Sequence, residues 1–463
     1  MNGAAPAFVC GGCGRRVPVA AGTGPVFRCP DAGRGGDVDH VLRRALDPAL
    51  LAWPAGAEAN PFLRYRTLLT SWHAARGRGE RDEQFVARVA RLDRAVAALD
   101  RHGFRATPFA PAERLAERLG LSRGRLWIKD ETGNVSGSHK GRHLMGVLLH
   151  LEGGAAAGAP ARRLAIASCG NAALAAAVLA RAAGRGLDVY VPTWADERVV
   201  ARLAELGAAV TRCPRGPGEA GDPCYRRFRE TVAAGAIPFC CQGPDNGLTL
   251  EGGATLAWEI VDGLGGRPLD RVFVQVGGGA LASACAQGFS DAVALGRLAR
   301  PPRLHAVQTA GGYPLARAYE RVLARVLARL PRAPAGTAAR AEFAAAHSTP
   351  ELLAEVLGYA ATHRSEFMWP WETEPRSLAT GILDDETYDW LAVVEAMLAT
   401  GGYPIVVGEE TIGAAHRFGR ESTGIDVDPT GTAGLAGLMH LLAAGAALRD
   451  ETVAVLFTGV RRG

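Results

Sequence analysis

Seven short apolar runs frame this chain: Leu126 to Lys129, Leu164 to Ala167, Val189 to Pro192, Arg271 to Val276, Leu304 to Gln308, Pro404 to Val407 and Val453 to Phe457. They are rich in Val and Ile, and long Ala/Leu/Arg segments of helical period separate them. Runs that stay apolar instead of alternating read as strands buried on both faces, and strands interleaved with helices point to parallel, doubly wound sheets. The fold class expected is therefore α/β. At 463 residues the chain is too long for one hydrophobic core, so two such lobes are expected behind a small separate module over residues 1–45. Pro331 to Arg340, with two prolines and a glycine, reads as an exposed excursion.

Composition removes several classes of function. With 48% hydrophobic and 21% charged residues the chain is globular. It has no uncharged apolar stretch of the roughly 18 residues needed to cross a bilayer, and Leu174 to Gly186 is interrupted by arginine. No membrane partner is expected. Met1 to Val9 lacks a basic region followed by a long apolar one, so a cytoplasmic location is expected. Nine cysteines, an odd number outside a secretory context, suggest reduced thiols. The net charge of +5 comes from arginines scattered among acidic residues, and aromatic residues are only 6%; both argue against a nucleic-acid surface. Lysine is the informative residue, because there are two, Lys129 and Lys140, against fifty arginines. Chemistry that needs a primary amine is restricted to those two, since arginine does not give up its proton in proteins.

Lys140 ends the Gly/Ser/Asn-rich loop Asp130-Glu131-Thr132-Gly133-Asn134-Val135-Ser136-Gly137-Ser138-His139-Lys140 and opens an apolar helical segment, Leu144 to Leu151. A cation at the N-terminal end of a helix dipole is disfavoured, which should depress its pKa and ready it for Schiff-base formation. A solvated surface lysine is the alternative. Lys129 lies in Trp127-Ile128-Lys129-Asp130-Glu131, where the neighbouring carboxylates are expected to keep it charged.

Three more strand-to-helix junctions follow. At Ser168-Cys169-Gly170-Asn171-Ala172, free backbone N–H groups can hold a carboxylate and the Asn171 side chain can hydrogen-bond a ring hydroxyl. At Gly277-Gly278-Gly279-Ala280-Leu281, backbone without side chains can wrap a phosphate, or simply make a tight turn. Thr458-Gly459 ends the last run with a hydroxyl that can meet a ring nitrogen.

In this order the four segments resemble those of the fold-type II pyridoxal-phosphate enzymes, the tryptophan-synthase β-like superfamily, and within it the threonine synthase and serine/threonine dehydratase branch. The resemblance covers roughly Phe104 onward. It implies a catalytic domain over residues 46–463 made of two interleaved lobes, the smaller over residues 130–250 or so, with pyridoxal 5'-phosphate between them. Gly137-Ser138-His139-Lys140-Gly141-Arg142 implies that Lys140 carries the cofactor. Ser168, Cys169, Gly170, Asn171 and Ala172 become the substrate-carboxylate loop, with Asn171 also on the cofactor's phenolic oxygen. Gly277, Gly278, Gly279, Ala280 and Leu281 become the phosphate loop, and the Thr458 hydroxyl faces the pyridine nitrogen. Asp428-Pro429-Thr430-Gly431-Thr432-Ala433 and Ser377-Leu378-Ala379-Thr380-Gly381-Ile382 also resemble family segments, the second along the active-site edge. His139 replaces the family's usual Phe, either as an added acid/base group or as a stacking residue. Cys169 reads as an inert thiol rather than a nucleophile.

The implied activity is that of a lyase on a small L-amino acid, by β-elimination or β-replacement through an aminoacrylate, with Lys140 as the general base. The alternative is threonine synthase, which eliminates a γ-phosphate from O-phosphohomoserine and must bind that phosphate as well. Cys241-Gln242-Gly243-Pro244-Asp245-Asn246-Gly247 and Leu250-Glu251-Gly252-Gly253 depart from the threonine synthase pattern, whereas the zinc-ribbon-like module over residues 1–45 and the chain length favour that branch. A homodimer is the assembly expected.

Cys10-x2-Cys13, followed by Cys29, supplies three thiolates, and a closed structural zinc site needs a fourth ligand. His40 is the nearest histidine, with Asp31 as an oxygen alternative; free cysteines or a ribbon that has lost its metal are the other reading. Two rival classes remain to be weighed. A nicotinamide-dependent dehydrogenase lacks its Gly-x-Gly-x-x-Gly fingerprint here, and a zinc-ribbon nucleic-acid binder lacks clustered arginines.

Overall fold

The computed structural model describes residues 6–19, 24–33, 35–45, 47–154, 162–216, 221–373 and 375–462. Met1 to Ala5, the start of the segment read above for a leader, lie outside the described residues. The strands, in chain order, are β1 (Ala7–Cys10), β2 (Arg16–Pro18), β3 (Leu42–Ala45), β4 (Phe109–Pro111), β5 (Leu126–Asp130), β6 (Leu164–Ala167), β7 (Leu187–Pro192), β8 (Ala209–Cys213), β9 (Ile237–Pro238), β10 (Arg271–Gln275), β11 (Arg303–Thr309), β12 (Ile405–Val407) and β13 (Val453–Phe457). They make a module sheet, β2-β1-β3, a large sheet, β12-β11-β10-β13-β5-β4, and a small sheet, β8-β7-β6-β9. The small sheet is parallel throughout, and the large one is parallel except for β4, which runs against β5 at the edge.

Each of the seven apolar runs is a strand. β10 and β13 are buried at every position, which is why they show no polar alternation. β8 was missed because its burial alternates, as an edge strand's does, and β9 because it is two residues long. The excursion at Pro331 to Arg340 needs a correction. It is largely exposed through Gly336, but Thr337 begins a helix, Thr337–His347, whose Ala341 and Ala344 are buried.

Two cores hold the chain together. One surrounds the large sheet, with Phe273, Phe289, Tyr319 and Trp390 inside it. The other joins the small lobe to the N-terminal module: Phe8, Cys10, Cys29 and Leu42 share it with Leu144, Leu164 and Phe228. The module is therefore packed into the protein rather than tethered to it.

The helix Thr249–Leu264, buried along most of its length, runs beside the helices Lys140–Gly154 and Ala280–Ala294. At Gly252 a side chain would meet the Arg142 carbonyl at 2.0 Å, so the Gly252-Gly253 pair is what lets it press against the helix that Lys140 opens. Register then aligns the exits of the sheet: Phe457 of β13 stands opposite Asp130 of β5, and β10 is aligned with β13 on the other side. The loops after β5, β10 and β13 leave from one edge, the carboxyl end where α/β sheets place ligands.

Candidate active site

The loop after β5 is turned by its own side chains. Asp130 Oδ1 accepts from the Thr132 N–H (2.9 Å), Asn134 Oδ1 accepts from the Val135 N–H (2.7 Å), and Ser136 is held at φ 58°. The chain then lies along the exit of β13. Ser138 pairs with Gly459 in an antiparallel bridge, and the His139 N–H donates to the Thr458 carbonyl (3.2 Å). Lys140, half-buried, opens its helix at that point.

Beneath it lies a buried ion cluster. Arg142 Nε bonds Glu131 (2.8 Å) and its Nη1 bonds Glu259 (2.7 Å), while Lys129 Nζ bonds Glu259 and the Thr107 carbonyl (2.7 Å). Lys129 is ion-paired with carboxylates, chiefly one far from it in sequence. Its close partner is Glu259 from a distant helix and Glu131 stands 3.9 Å away; burial pulls its pKa down while both carboxylates pull it up. Complete enclosure, not charge from its sequence neighbours, is what separates it from the cleft.

Ser168, Cys169, Gly170, Asn171 and Ala172 are all half-buried between a buried strand and a buried helix, as a chain lining a cleft should be. The helices Asn171–Ala182 and Ala280–Ala294 both start without a side-chain cap, so their first N–H groups have no side-chain acceptor. Burial holds the Cys169 thiol above its ordinary pKa, in keeping with an inert thiol. At Gly277 a Cβ would lie 2.8 Å from Ile382 Cα, and Gly279 sits at φ 94°; close approach and left-handed backbone together require glycine there. Ile382 ends the Ser377–Ile382 stretch, and the Gly381 N–H donates to Thr430 Oγ1 (3.0 Å), so the two subsidiary family-like segments meet at this edge.

Thr458 is buried, and its hydroxyl accepts from the Gln275 amide. That leaves the hydroxyl's own proton to be donated. The Asn171 amide nitrogen lies 2.8 Å from where a Cβ on Gly459 would sit. Lys140, Thr458 and Asn171 thus share one place, and Gln275 links them to the glycine loop two residues on.

Several functional neighbours escaped the sequence reading. Asp384 accepts from the Gly278 N–H, and burial raises its pKa to about 6 against the opposing pull of Lys140. Burial raises Asp389 to about 7, with Asp39 adding to it. His143, one helical turn after Lys140, bonds the Thr249 carbonyl through Nδ1 (2.9 Å), and burial lowers it to about 3. Burial and Lys140 also hold His139 well below its ordinary value. It packs edge-on to His143, ring centroids 5.7 Å apart, which favours the stacking reading. The available signals were faint: a lone amide ending an apolar strand for Gln275, and the acidic triplet Asp384-Asp385-Glu386 one residue beyond the family-like stretch.

In the module, Cys10, Cys13, Cys29 and His40 place one ligand atom each within 4.8 Å of one another. The Cys10-to-Cys13 knuckle is closed by the Gly14 N–H on the Cys10 carbonyl (3.0 Å).

Two interleaved α/β lobes with an amine-bearing helix start, a glycine loop and an Asn loop at one edge define a fold-type II pyridoxal-phosphate enzyme. Residues 101–459 match the family model described as "Pyridoxal-phosphate dependent enzyme", and the chain belongs to that family, as an amino-acid lyase or synthase. The chain is 27% identical over 363 residues to a threonine synthase of Methanosarcina acetivorans, covering 76% of this chain and 74% of that protein. Among solved structures it is similar to the processed form of threonine deaminase isoform 2 from Solanum lycopersicum, with TM-score 0.56, 15% identity, and 82% and 91% coverage. It is also similar to a fungal L-serine ammonia-lyase from Rhizomucor miehei, with TM-score 0.55, 19% identity, and 77% and 94% coverage.

The residues present fit the cofactor. The buried Ser138 hydroxyl beside Lys140 has no protein partner, and the uncapped helix starts, the neutral Thr458 hydroxyl and the Asn171 amide supply donors for phosphate, ring nitrogen and phenolic oxygen. No described helix is long and apolar enough to cross a membrane.

Proposed function

We propose that the chain acts on a small L-amino acid at its β-carbon, eliminating or replacing a neutral or cationic β-substituent. Pyridoxal phosphate, held by Lys140, Asn171, Gly277 to Leu281 and Thr458, supplies the electron sink for charge developing at the substrate Cα. Lys140 Nζ takes the α-proton. Ser168 to Ala172, at an uncapped helix start, bind the substrate carboxylate. Thr458, oriented by Gln275, offers the ring nitrogen a neutral hydrogen bond, which favours elimination over racemisation or transamination.

The observation that carries the choice of leaving group is the charge around the site. Burial raises both the Asp384 carboxyl and the Cys169 thiol; Asp385 and Asp222 add to it at Asp384 against Lys140, and Asp222 and Asp384 add to it at Cys169. Arg142, the cation closest to Lys140 in sequence, is locked between Glu131 and Glu259. A second, substrate phosphate would add charge beside these carboxylates, with Lys140, Arg215 near Asp385 and Arg462 on Asn171 as the opposing cations. The second reading, threonine synthase, is favoured by the curated relative of that name. Incubation with L-serine, L-threonine, their O-acyl esters and L-2,3-diaminopropionate should release keto acid and ammonia, or a substituted amino acid when a nucleophile is supplied. Turnover of O-phosphohomoserine alone, giving threonine and phosphate, establishes the second reading instead.

We also propose a structural zinc on Cys10, Cys13, Cys29 and His40, supported by three cysteine sulfurs and an imidazole whose ligand atoms lie within 4.8 Å of one another, a closed zinc donor set. The division of the chain at residues 45 and 46, a cytoplasmic location and a homodimer complete the reading. Light scattering tests the assembly.

A further inference from the structure

Arg462 reaches from the segment after β13 to two loops at once. Its Nη2 donates to Asn171 Oδ1 (2.9 Å) and to the Ser136 carbonyl (2.6 Å), and its Nε donates to the same Asn171 oxygen (3.3 Å). The backbone that delivers it is pinned. The Val460 N–H donates to the Gly137 carbonyl (2.8 Å), the Asp428 N–H donates to the Gly459 carbonyl (3.0 Å), and Val427 bridges Val460. Burial lowers the pKa of the Arg462 guanidinium, against the opposing pull of Asp428 and Asp100.

A carboxamide has an acceptor end and a donor end, and the two exchange by a flip. With Oδ1 held by the guanidinium, the end presented at Gly459 is the NH2, 2.8 Å from the point where a Cβ would stand. We infer that Arg462 is a positioning residue for the cofactor: it fixes the Asn171 amide with its N–H groups turned to pyridoxal phosphate, so that the contact made is a donated hydrogen bond to an anionic oxygen. A flipped amide would set oxygen against oxygen there. The guanidinium also polarises the amide, strengthening the bond that it donates. The inference rests on Asn171 being a cofactor contact, as proposed above.

The test compares the wild type with Asn171→Ala, Arg462→Ala, Arg462→Lys and the double alanine variant. Each apoprotein is titrated with pyridoxal 5'-phosphate, and the visible band of each holoenzyme is followed through a pH titration. Asn171→Ala and Arg462→Ala should each weaken cofactor binding roughly three- to ten-fold, the range of one hydrogen bond. Both should move the midpoint of the spectral titration in the same direction. The double variant should be no weaker than Asn171→Ala, because one residue acts through the other, and Arg462→Lys should keep part of the effect. Additive losses, or a shift with Asn171→Ala and none with Arg462→Ala, overturn the inference alone, since they leave Asn171 in the site and reduce Arg462 to a clamp on Ser136. No effect of Asn171→Ala on either readout overturns the inference together with the assignment of Asn171.

Discussion

Replacing Glu259 by glutamine removes one of two carboxylates from a cluster balanced by Lys129 and Arg142, all four side chains being nearly or wholly buried. The lost carboxylate bonds Arg142 at 2.7 Å and 2.9 Å, the Thr107 N–H at 3.1 Å, and Lys129. A glutamine amide retains part of this geometry but none of the charge. Breaking a buried pair by removing one partner costs about 3–5 kcal/mol, mostly through the cation left uncompensated. At roughly 2.1 cal/mol/K of unfolding entropy per residue, 463 residues turn that into a fall in Tm of roughly 3–5 °C. Lys129→Met in the Glu259→Gln background removes the surplus positive charge and leaves Arg142 paired with Glu131. The double variant should therefore cost at least ~1 kcal/mol less than the sum of the singles. Calorimetry on the apoproteins measures both quantities. Both carboxylates titrate below their ordinary range because Arg142 and Lys129 outweigh the effect of burial. Their contribution is thus present above the ordinary value of 4.5 and fades only as pH falls through the depressed ones. Strictly additive costs, or a Glu259→Gln protein that melts with the wild type, would refute the charge-balance argument.

Other consequences are equally specific. His305, buried between Arg271 Nη1 (3.0 Å) and the Tyr403 carbonyl (3.2 Å), is held by burial at about 3 against an ordinary 6.5. The unfolded chain gains a proton there that the folded chain refuses, so stability is lost as pH drops from 6.5 towards 3, and His305→Gln should flatten that loss by up to about 1.4 kcal/mol per pH unit. A pH–stability curve parallel to the wild type's would acquit His305. Thr458→Asp places a carboxylate against the ring nitrogen and should raise racemisation and transamination or abolish turnover; product analysis showing unchanged partition and full activity removes Thr458 from the site. Purified protein should hold about one zinc per chain, and Cys10→Ala should lose the metal and lower Tm; unaltered metal content and Tm mean the ribbon is degenerate.

What the sequence made legible follows a physical division. Fully buried strands such as β10 and β13 declare themselves by unbroken apolar runs, and the backbone-dependent parts of the site declare themselves by glycine, as at Gly277 and Gly279. Lys140 stood out because amines are so rare in this chain. Residues supplied across the fold left no local mark. Glu259 reaches Lys129 from a helix 130 residues away in sequence, so the main partner of that lysine left no mark among its neighbours. Asp384 gains its role only because the segment at Ile382 crosses the glycine loop. Arg462 is one arginine among fifty, and backbone pairing across the fold, as between Ser138 and Gly459, brings it to Asn171.

The central claim is that a single amine, Lys140, carries pyridoxal phosphate in this fold, and it is tested most directly by covalent mapping. Purified holoenzyme is reduced with borohydride and digested, and the pyridoxyl group is located by mass spectrometry, with Lys140→Ala treated in parallel. The account predicts one labelled peptide, modified at Lys140, and no label in the variant. Label on Lys129, or no label on wild-type protein saturated with the cofactor, contradicts it.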